Sequence, residues 1–455
     1  MMAKKIDATQ GNLIKLIFVY SIPLIISIII QNLFGTVDKA VLGNMAGSDA
    51  VAAIGAASGS VMTIITNGAA GLSVGTAIIL ARFLGQKDDE KVRKTIDTSL
   101  ISAVGIGTIV AAVGFLMAPL ILTLTKCPVE CYDNSLLYMR ICFLISPANL
   151  LYNYGSSILR VLGDTKSPLI YISVAGITNV VLNIILCLIL PNKVLAVALA
   201  TVASQFLSVV LLLWRLSRLE GSFRFNVRSM HFEFGIFTKI LRFGLPSSIS
   251  NLVLPLGNLQ IVTAINTYGI DAVAGNAAAT SLNNFVLAAN TGFSSAATTF
   301  IGQNLGAKKS GRVKRSFWYL LAINMTITGS LGALMFLGGR FLLGLIVGSS
   351  ATVAIDFGME RMLYVTLLMF ISAANSILSS AIQAFGYPML ISITNIFFNL
   401  GFRVFWMQLV YPSNARFDTV MLCFPVSWIL NMTFYAIFFA VVYWRYSKKG
   451  ICKKI

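Results

Sequence analysis

Charge and histidine are the scarce materials of this chain. Only 11% of its 455 residues are charged, where a soluble domain carries roughly a quarter, and 57% are hydrophobic. That balance leaves too little polar surface to cover a water-soluble particle. A single histidine, His231, and six cysteines without a repeated Cys-x-x-Cys pattern argue against a structural zinc site. Acids are few as well, 16 against 34 basic residues. No stretch pairs a nucleophile with a base or groups carboxylates with histidines, so the sequence reads as a non-enzyme, without catalytic residues, metal site or cofactor.

What is present instead is apolar length. A membrane-spanning helix needs roughly 20 apolar residues, and twelve such stretches lie at about 13–42, 51–81, 96–124, 135–159, 168–190, 194–214, 240–266, 272–301, 316–347, 354–383, 389–411 and 419–444. The expected fold is all-α and integral to the membrane, with no room for a soluble domain. The first stretch exceeds the roughly 7–15 apolar residues of a signal peptide and lacks a small-residue cleavage site, so it is expected to stay as a span. The net charge of +18 does not point to nucleic acid. With the N-terminus inside, 26 of the 34 basic residues fall in loops and tails on the cytoplasmic side. Short positive loops resist translocation, so both termini are expected to be cytoplasmic in a multi-pass plasma-membrane protein that works as a monomer, with anionic lipid as a secondary contact of the basic loops. Cys127 and Cys131 share an outward loop, CPVEC, for which a local disulfide and two free thiols both stand open.

The chain is also a direct duplication. Asp49-Ala50-Val51-Ala52 returns as Asp271-Ala272-Val273-Ala274, the block from Gly71 aligns without gaps to the block from Gly292, and ITNVVLNIIL from Ile177 returns as ITNIFFNLGF from Ile393. Pro23 and Pro246 hold equivalent places in the first span of each half. Six spans per half, an even number, give both copies one orientation, so the halves are expected to be related by a pseudo-two-fold along the membrane normal. The expected division is an N-terminal six-helix lobe at 1–214, a cytoplasmic linker at 215–239 and a C-terminal six-helix lobe at 240–455. A cavity between two such lobes suits alternating access.

Polar groups retained inside spans are the functional candidates, because lipid offers them no partner. Asp38 is the one acid well inside a span. Burial favours its protonated form and cation binding its ionised form, which is what an ion-coupled switch requires. Asn149 and Asn153, Asn179 and Asn183, and Thr201 and Gln205 lie four residues apart and so share helix faces, able to coordinate a cation or to hold helices together. In the second half Asn395, Asn399, Gln383 and Arg403 form a polar set without a carboxylate, with Arg403 open to substrate contact or to snorkelling. Gln31, Asn149, Gln205, Asn258, Asn375, Gln383 and Arg403 are the candidates for lining a substrate cavity. Glycines and alanines crowding spans two and eight read as close helix packing.

The stretches VDKAVLGNMAGSDAVAAIG, LGDTKSP, ALATVASQ and GQNLGAKK together resemble the multidrug and toxic compound extrusion family, MATE, over all twelve spans and closest to its DNA-damage-inducible branch. The resemblance implies a secondary transporter that exports small organic, often cationic, compounds in exchange for protons or sodium. It places cation coupling at Asp38, Asn183 and Thr201, and with the polar neighbours Asn153 and Asn179 and the position of Cys187 these make up the candidate coupling set. The acid that the branch carries one turn beyond its span-five asparagine is replaced here by Cys187, a poor sodium ligand, which favours protons. A lipid-linked oligosaccharide flippase of the same superfamily is the alternative. An arginine-rich cavity should accompany it, and only Arg140, Arg361 and Arg403 are available.

Overall fold

Lipid leaves every backbone N–H and C=O to be satisfied within its own segment, and a chain this apolar therefore resolves into helices. A computed structural model describes residues 6–53, 59–124, 129–219 and 223–449, and among them there are sixteen α-helices and no strand. In chain order these are α1 (Leu13–Ala53), α2 (Gly59–Gln86), α3 (Asp89–Leu124), α4 (Val129–Leu144), α5 (Ser146–Val161), α6 (Lys166–Ile189), α7 (Lys193–Ser217) and α8 (Phe234–Asn266). There follow α9 (Ile270–Gly306), α10 (Ser310–Leu337), α11 (Gly339–Val347), α12 (Thr352–Arg361), α13 (Met369–Ala384), α14 (Pro388–Asn395), α15 (Phe402–Phe405) and α16 (Phe417–Lys449). Wider π-helical turns at Met362–Thr366, Ile396–Gly401 and Trp406–Val410 interrupt the α-helical course after α12 and on both sides of α15.

Ten described stretches are long and apolar enough to cross a membrane, or eleven when α4 and α5, bent by 42°, count as one. With α9, whose 37 residues reach far enough but are rich in alanine, asparagine and threonine, the count agrees with the expected twelve. Two spans differ from the sequence reading. The fourth breaks at Ile145, where Pro147 starts a new helix. The ninth stops at Leu337, and Gly338 and Gly339 turn the chain into the short α11.

The chain divides into two compact units: residues Met1–Asp7 with Ile26–Ser248, and Ala8–Ile25 with Ile249–Ile455. The sequence division at 1–214, 215–239 and 240–455 thus differs from the compact units at both ends. In each repeat the first helix changes unit two residues after the equivalent proline, Pro23 or Pro246.

The duplication shows in the contacts of each unit. In the first, Gly71 and Gly75 of α2 lie against α8, so that a Cβ on Gly71 would collide with the Ser248 backbone and one on Gly75 with the Ile240 carbonyl oxygen. In the second, Gly292, the repeat counterpart of Gly71, lies against Ser21 and Ile25 of α1. Lys87 and Lys308, equivalent residues after α2 and α9, both adopt positive φ, 58° and 55°. Gly163 and Gly386 close the fourth span of each repeat with φ of 89° and 103°, where a side chain would be strained. Small residues at spans two and eight therefore serve close packing, as the sequence indicated.

Each unit also grips the lead-in to a first helix. In the second unit Arg312 donates to the carbonyl oxygens of Ala8, Gln10 and Gly11, Lys309 donates to that of Thr9, and Gln303 and Asn304 bond the Ala8 N–H and C=O. In the first unit Arg93 donates to the Ser229 carbonyl oxygen, the Glu233 N–H donates to Thr98, and Lys94 pairs with Glu233 just ahead of α8. Basic residues that read as topological signals are thus also structural clasps. Asp164 does similar work in the LGDTKSP stretch: it accepts from the Ser167 N–H at the start of α6 and pairs with Arg215 at 2.7 Å.

Two outcomes follow from this packing. Gly75→Val should lose stability by overpacking, roughly 1–3 kcal/mol or more, and lower the melting temperature in detergent, whereas Gly311→Ala, with open space around its Cα, should leave it unchanged. Arg312→Ala should raise amide exchange at Ala8–Gly11 about tenfold by hydrogen-exchange mass spectrometry, since a bond to a charged donor contributes roughly 1.5–3 kcal/mol.

Candidate functional site

In the first compact unit the predicted polar pairs are real neighbours. On α5 the Asn153 Nδ2 donates to both the backbone and the side-chain oxygen of Asn149, at 2.9 and 3.0 Å. On α6 the Asn183 Nδ2 donates to the Asn179 Oδ1 at 3.2 Å, and both side chains are buried. Gly176, one turn before Asn179, has the Phe34 ring of α1 against it, leaving no space for a Cβ. Asp38 follows Phe34 by four residues in α1, and its side chain lies outside the described residues, as do Cys127 and the side chain of Cys131.

One turn beyond Asn183, Cys187 is buried among Tyr138, Cys142, Val194, Val197 and Ala198. The Lys193 ammonium donates to its carbonyl oxygen at 2.7 Å. Thr201 is occupied locally, donating to the Val197 carbonyl oxygen, and Gln205 is half-buried on the same helix. Gln31 is exposed on α1.

The second unit repeats the α6 asparagine pair and then alters its surroundings. Asn399 donates to the Asn395 Oδ1 just as Asn183 does to Asn179, but this oxygen also receives Asn431 and the Tyr435 hydroxyl. With three donors converging on it, Asn395 ties helices together and has no oxygen lone pair to spare for a cation. Asn375 donates to the Trp428 carbonyl oxygen and Gln383 is half-buried on α13.

Two candidates of this half, Asn258 and Arg403, meet directly, the guanidinium donating to the amide oxygen. Arg403 is 2% exposed, so it does not snorkel. Its neighbour is Arg361, 8% exposed at the end of α12, which donates to the Asn276 Oδ1 at 2.8 Å. Both guanidinium groups lie over the Phe424 ring, at 4.7 Å for Arg403 and 5.4 Å for Arg361. A charge held at such depth costs roughly 2.5–3.5 kcal/mol on insertion scales, so the arrangement is an expensive one. Sequence reasoning counted Arg361 without placing it in the site, and passed over Asn276 and Phe424. Arg361 was detectable as a cation seven residues past the start of the 354–383 span, while its convergence with Arg403 on one ring needs the tertiary structure.

Among the described residues no three histidine, cysteine or acidic side chains come together as a metal site would require. The polar groups are amides, hydroxyls and guanidinium groups held inside helical spans.

Comparison with known proteins agrees. The chain is 25% identical over 446 residues, 98% of each chain, to the probable multidrug resistance protein YpnP of Bacillus subtilis (strain 168). It is 29% identical over 283 residues to the FAD transporter of Shewanella oneidensis, covering 59% of this chain and 60% of that protein. A crystal structure of MATE in complex with MaL6 superposes with a TM-score of 0.88 at 22% identity, over 97% of this chain and 99% of that one, which shows the shared fold. The family model described as MatE matches twice, at residues 23–189 and 246–406, each match starting on one of the paired prolines. The chain therefore belongs to the MatE family of membrane transporters, with one copy of the family unit in each repeat.

Proposed function

We propose that the chain exports small organic compounds from the cytoplasm by alternating access, in exchange for protons taken up and released at Asp38, with both termini cytoplasmic. Relatives named for multidrug resistance and for FAD transport support cargo of small organic molecules. The observation that carries the coupling site is the seat of Phe34 on Gly176. It sets α1 against the α6 stretch that bears Asn179 and Asn183, with Asp38 one turn further along α1. The amide groups of that pair supply hydrogen-bonding capacity to a carboxylate in either protonation state.

Protons are favoured over sodium by what stands at Cys187. A sodium ion takes a shell of oxygen ligands, as hard cations do. Here the position that would bring a second carboxylate holds a thiol packed in an apolar cluster, beside the Lys193 ammonium. One carboxylate among neutral amides binds one proton without further ligands. The six-plus-six lobe division, and the roles of Asn149, Asn153, Thr201, Gln205 and Gln31, belong to the same proposal.

In proteoliposomes with proton and sodium gradients imposed separately, dye export should follow the proton gradient alone. Asp38→Asn should reduce that export at least about tenfold, the effect of losing the coupled protonation step, and undiminished proton-driven export would overturn the assignment. Cys187→Asp combined with Lys193→Ala should introduce sodium-driven export by adding oxygen ligands and removing the nearby cation. Absence of sodium drive in the double variant would remove the equivalence of Cys187 with the missing acid and leave proton coupling untouched.

A further inference from the structure

Among the described residues, the second compact unit holds two cations for which it supplies no opposite charge. Its four acids are Asp271, Asp356, Glu360 and Asp418. Asp356 pairs with Arg340, Asp418 pairs with Arg416, Glu360 lies near Asp418 and Arg416, and Asp271 sits in the first turn of α9. None of them reaches Arg361 or Arg403, whose partners among the described residues are neutral: the amide oxygens of Asn276 and Asn258 and, for Arg361, the Met421 sulfur at 4.0 Å. A guanidinium carries five N–H donors. The Nε of each arginine is buried with no acceptor among the described residues.

Three further features argue that this is a built site. Both guanidinium groups face one ring, Phe424, so two like charges are brought to the same place. Both arginines stand where the α-helix gives way to a π turn, Arg361 immediately before Met362–Thr366 and Arg403 between Ile396–Gly401 and Trp406–Val410. Such turns are frequent at functional sites. The two also lie at one depth. Arg361 is nine residues past Thr352 and Arg403 is ten before Ser413, about 13–15 Å along the helix at 1.5 Å per residue. Contacts among Tyr268, Phe357 and Phe417 show that these helix ends belong to the same end of the bundle.

We infer that Arg361 and Arg403 form a binding site for the phosphate-type oxyanion of an organic molecule, with Phe424 as the apolar floor beneath both guanidinium groups. A phosphate presents several acceptor oxygens and matches the fork of an arginine, so one anion satisfies the open donors and offsets the repulsion between the two cations. The ligand is an exported amphiphile carrying a phosphate, or the phosphate of a lipid headgroup. This deepens the exporter reading and rests on it only where the ligand is cargo, since binding itself needs no gradient.

The test uses the purified full chain in a neutral maltoside detergent. Phenyl phosphate should raise the melting temperature of the wild type, benzyl alcohol should not, and sulfate should compete. In Arg361→Gln and in Arg403→Gln the half-saturating phenyl phosphate concentration should rise about tenfold or more, as loss of a charge-assisted hydrogen bond implies, and Arg403→Lys should recover part of it. A second arm adds dioleoyl phosphatidylglycerol or dioleoyl phosphatidylcholine to delipidated protein and reads bound lipid by native mass spectrometry. Arginine-dependent binding of phenyl phosphate supports cargo, and arginine-dependent retention of the phosphatidylglycerol alone supports a headgroup. Equal responses of wild type and both glutamine variants in both arms overturn the proposal. If those variants fail to fold, phenyl phosphate stabilisation of the wild type that sulfate does not displace overturns it equally. Proton-driven dye export by the wild type is measured in parallel, so that failure of the exporter reading and failure of the anion site are separate results.

Discussion

Every polar group in this chain is constrained by a solvent that offers no hydrogen bonds. Helices answer that constraint for the backbone, and the side chains answer it by pairing one turn apart: Asn153 with Asn149, Asn183 with Asn179, Asn399 with Asn395. The same constraint explains why unmatched charge stands out. An arginine surrounded by water needs no account, whereas Arg361 and Arg403, buried on one phenylalanine, require a partner or a continuing cost.

The two repeats show how one scaffold was turned to different ends. The tight turns at Lys87 and Lys308, the glycine seats at Gly71 and Gly292, and the asparagine pairs of α6 and of α14 with its π turn are common to both. The divergence lies in what surrounds the pairs. In one repeat α1 seats Phe34 beside the asparagine helix, and in the other Tyr435 and Asn431 close over Asn395. The first copy is the one to which we assign the coupled proton, and in the second the three donors on Asn395 make the pair a joint between helices.

Much of this was legible in the residues. Apolar runs gave the helices, because length and hydropathy decide what crosses lipid. Repeated blocks gave the duplication, since identical local chemistry folds into identical turns. Spacing of four gave the asparagine pairs, and the isolated charge of Arg403 marked its span. Other features were hidden for a physical reason. A break at Gly338 or Ile145 depends on how neighbouring helices pack, and both lie within runs apolar enough to read as continuous. Asn276, Arg361 and Phe424 come from three helices distant in sequence, and only tertiary packing brings them to one ring. The exchange of first-helix segments at Ile25 and Ser248 likewise leaves no trace in composition.

The clasp on the N-terminal segment has one more consequence. Arg312 and Lys309 donate to main-chain oxygens of Ala8, Thr9, Gln10 and Gly11, and every residue type presents the same carbonyl. Those bonds are blind to the identity of the residues they hold and sensitive to their number. The letter at exposed Gln10 can change freely, buried Ala8 and Thr9 and the positive φ of Gly11 constrain the others, and an insertion or deletion of a single residue would shift each oxygen out of its hand.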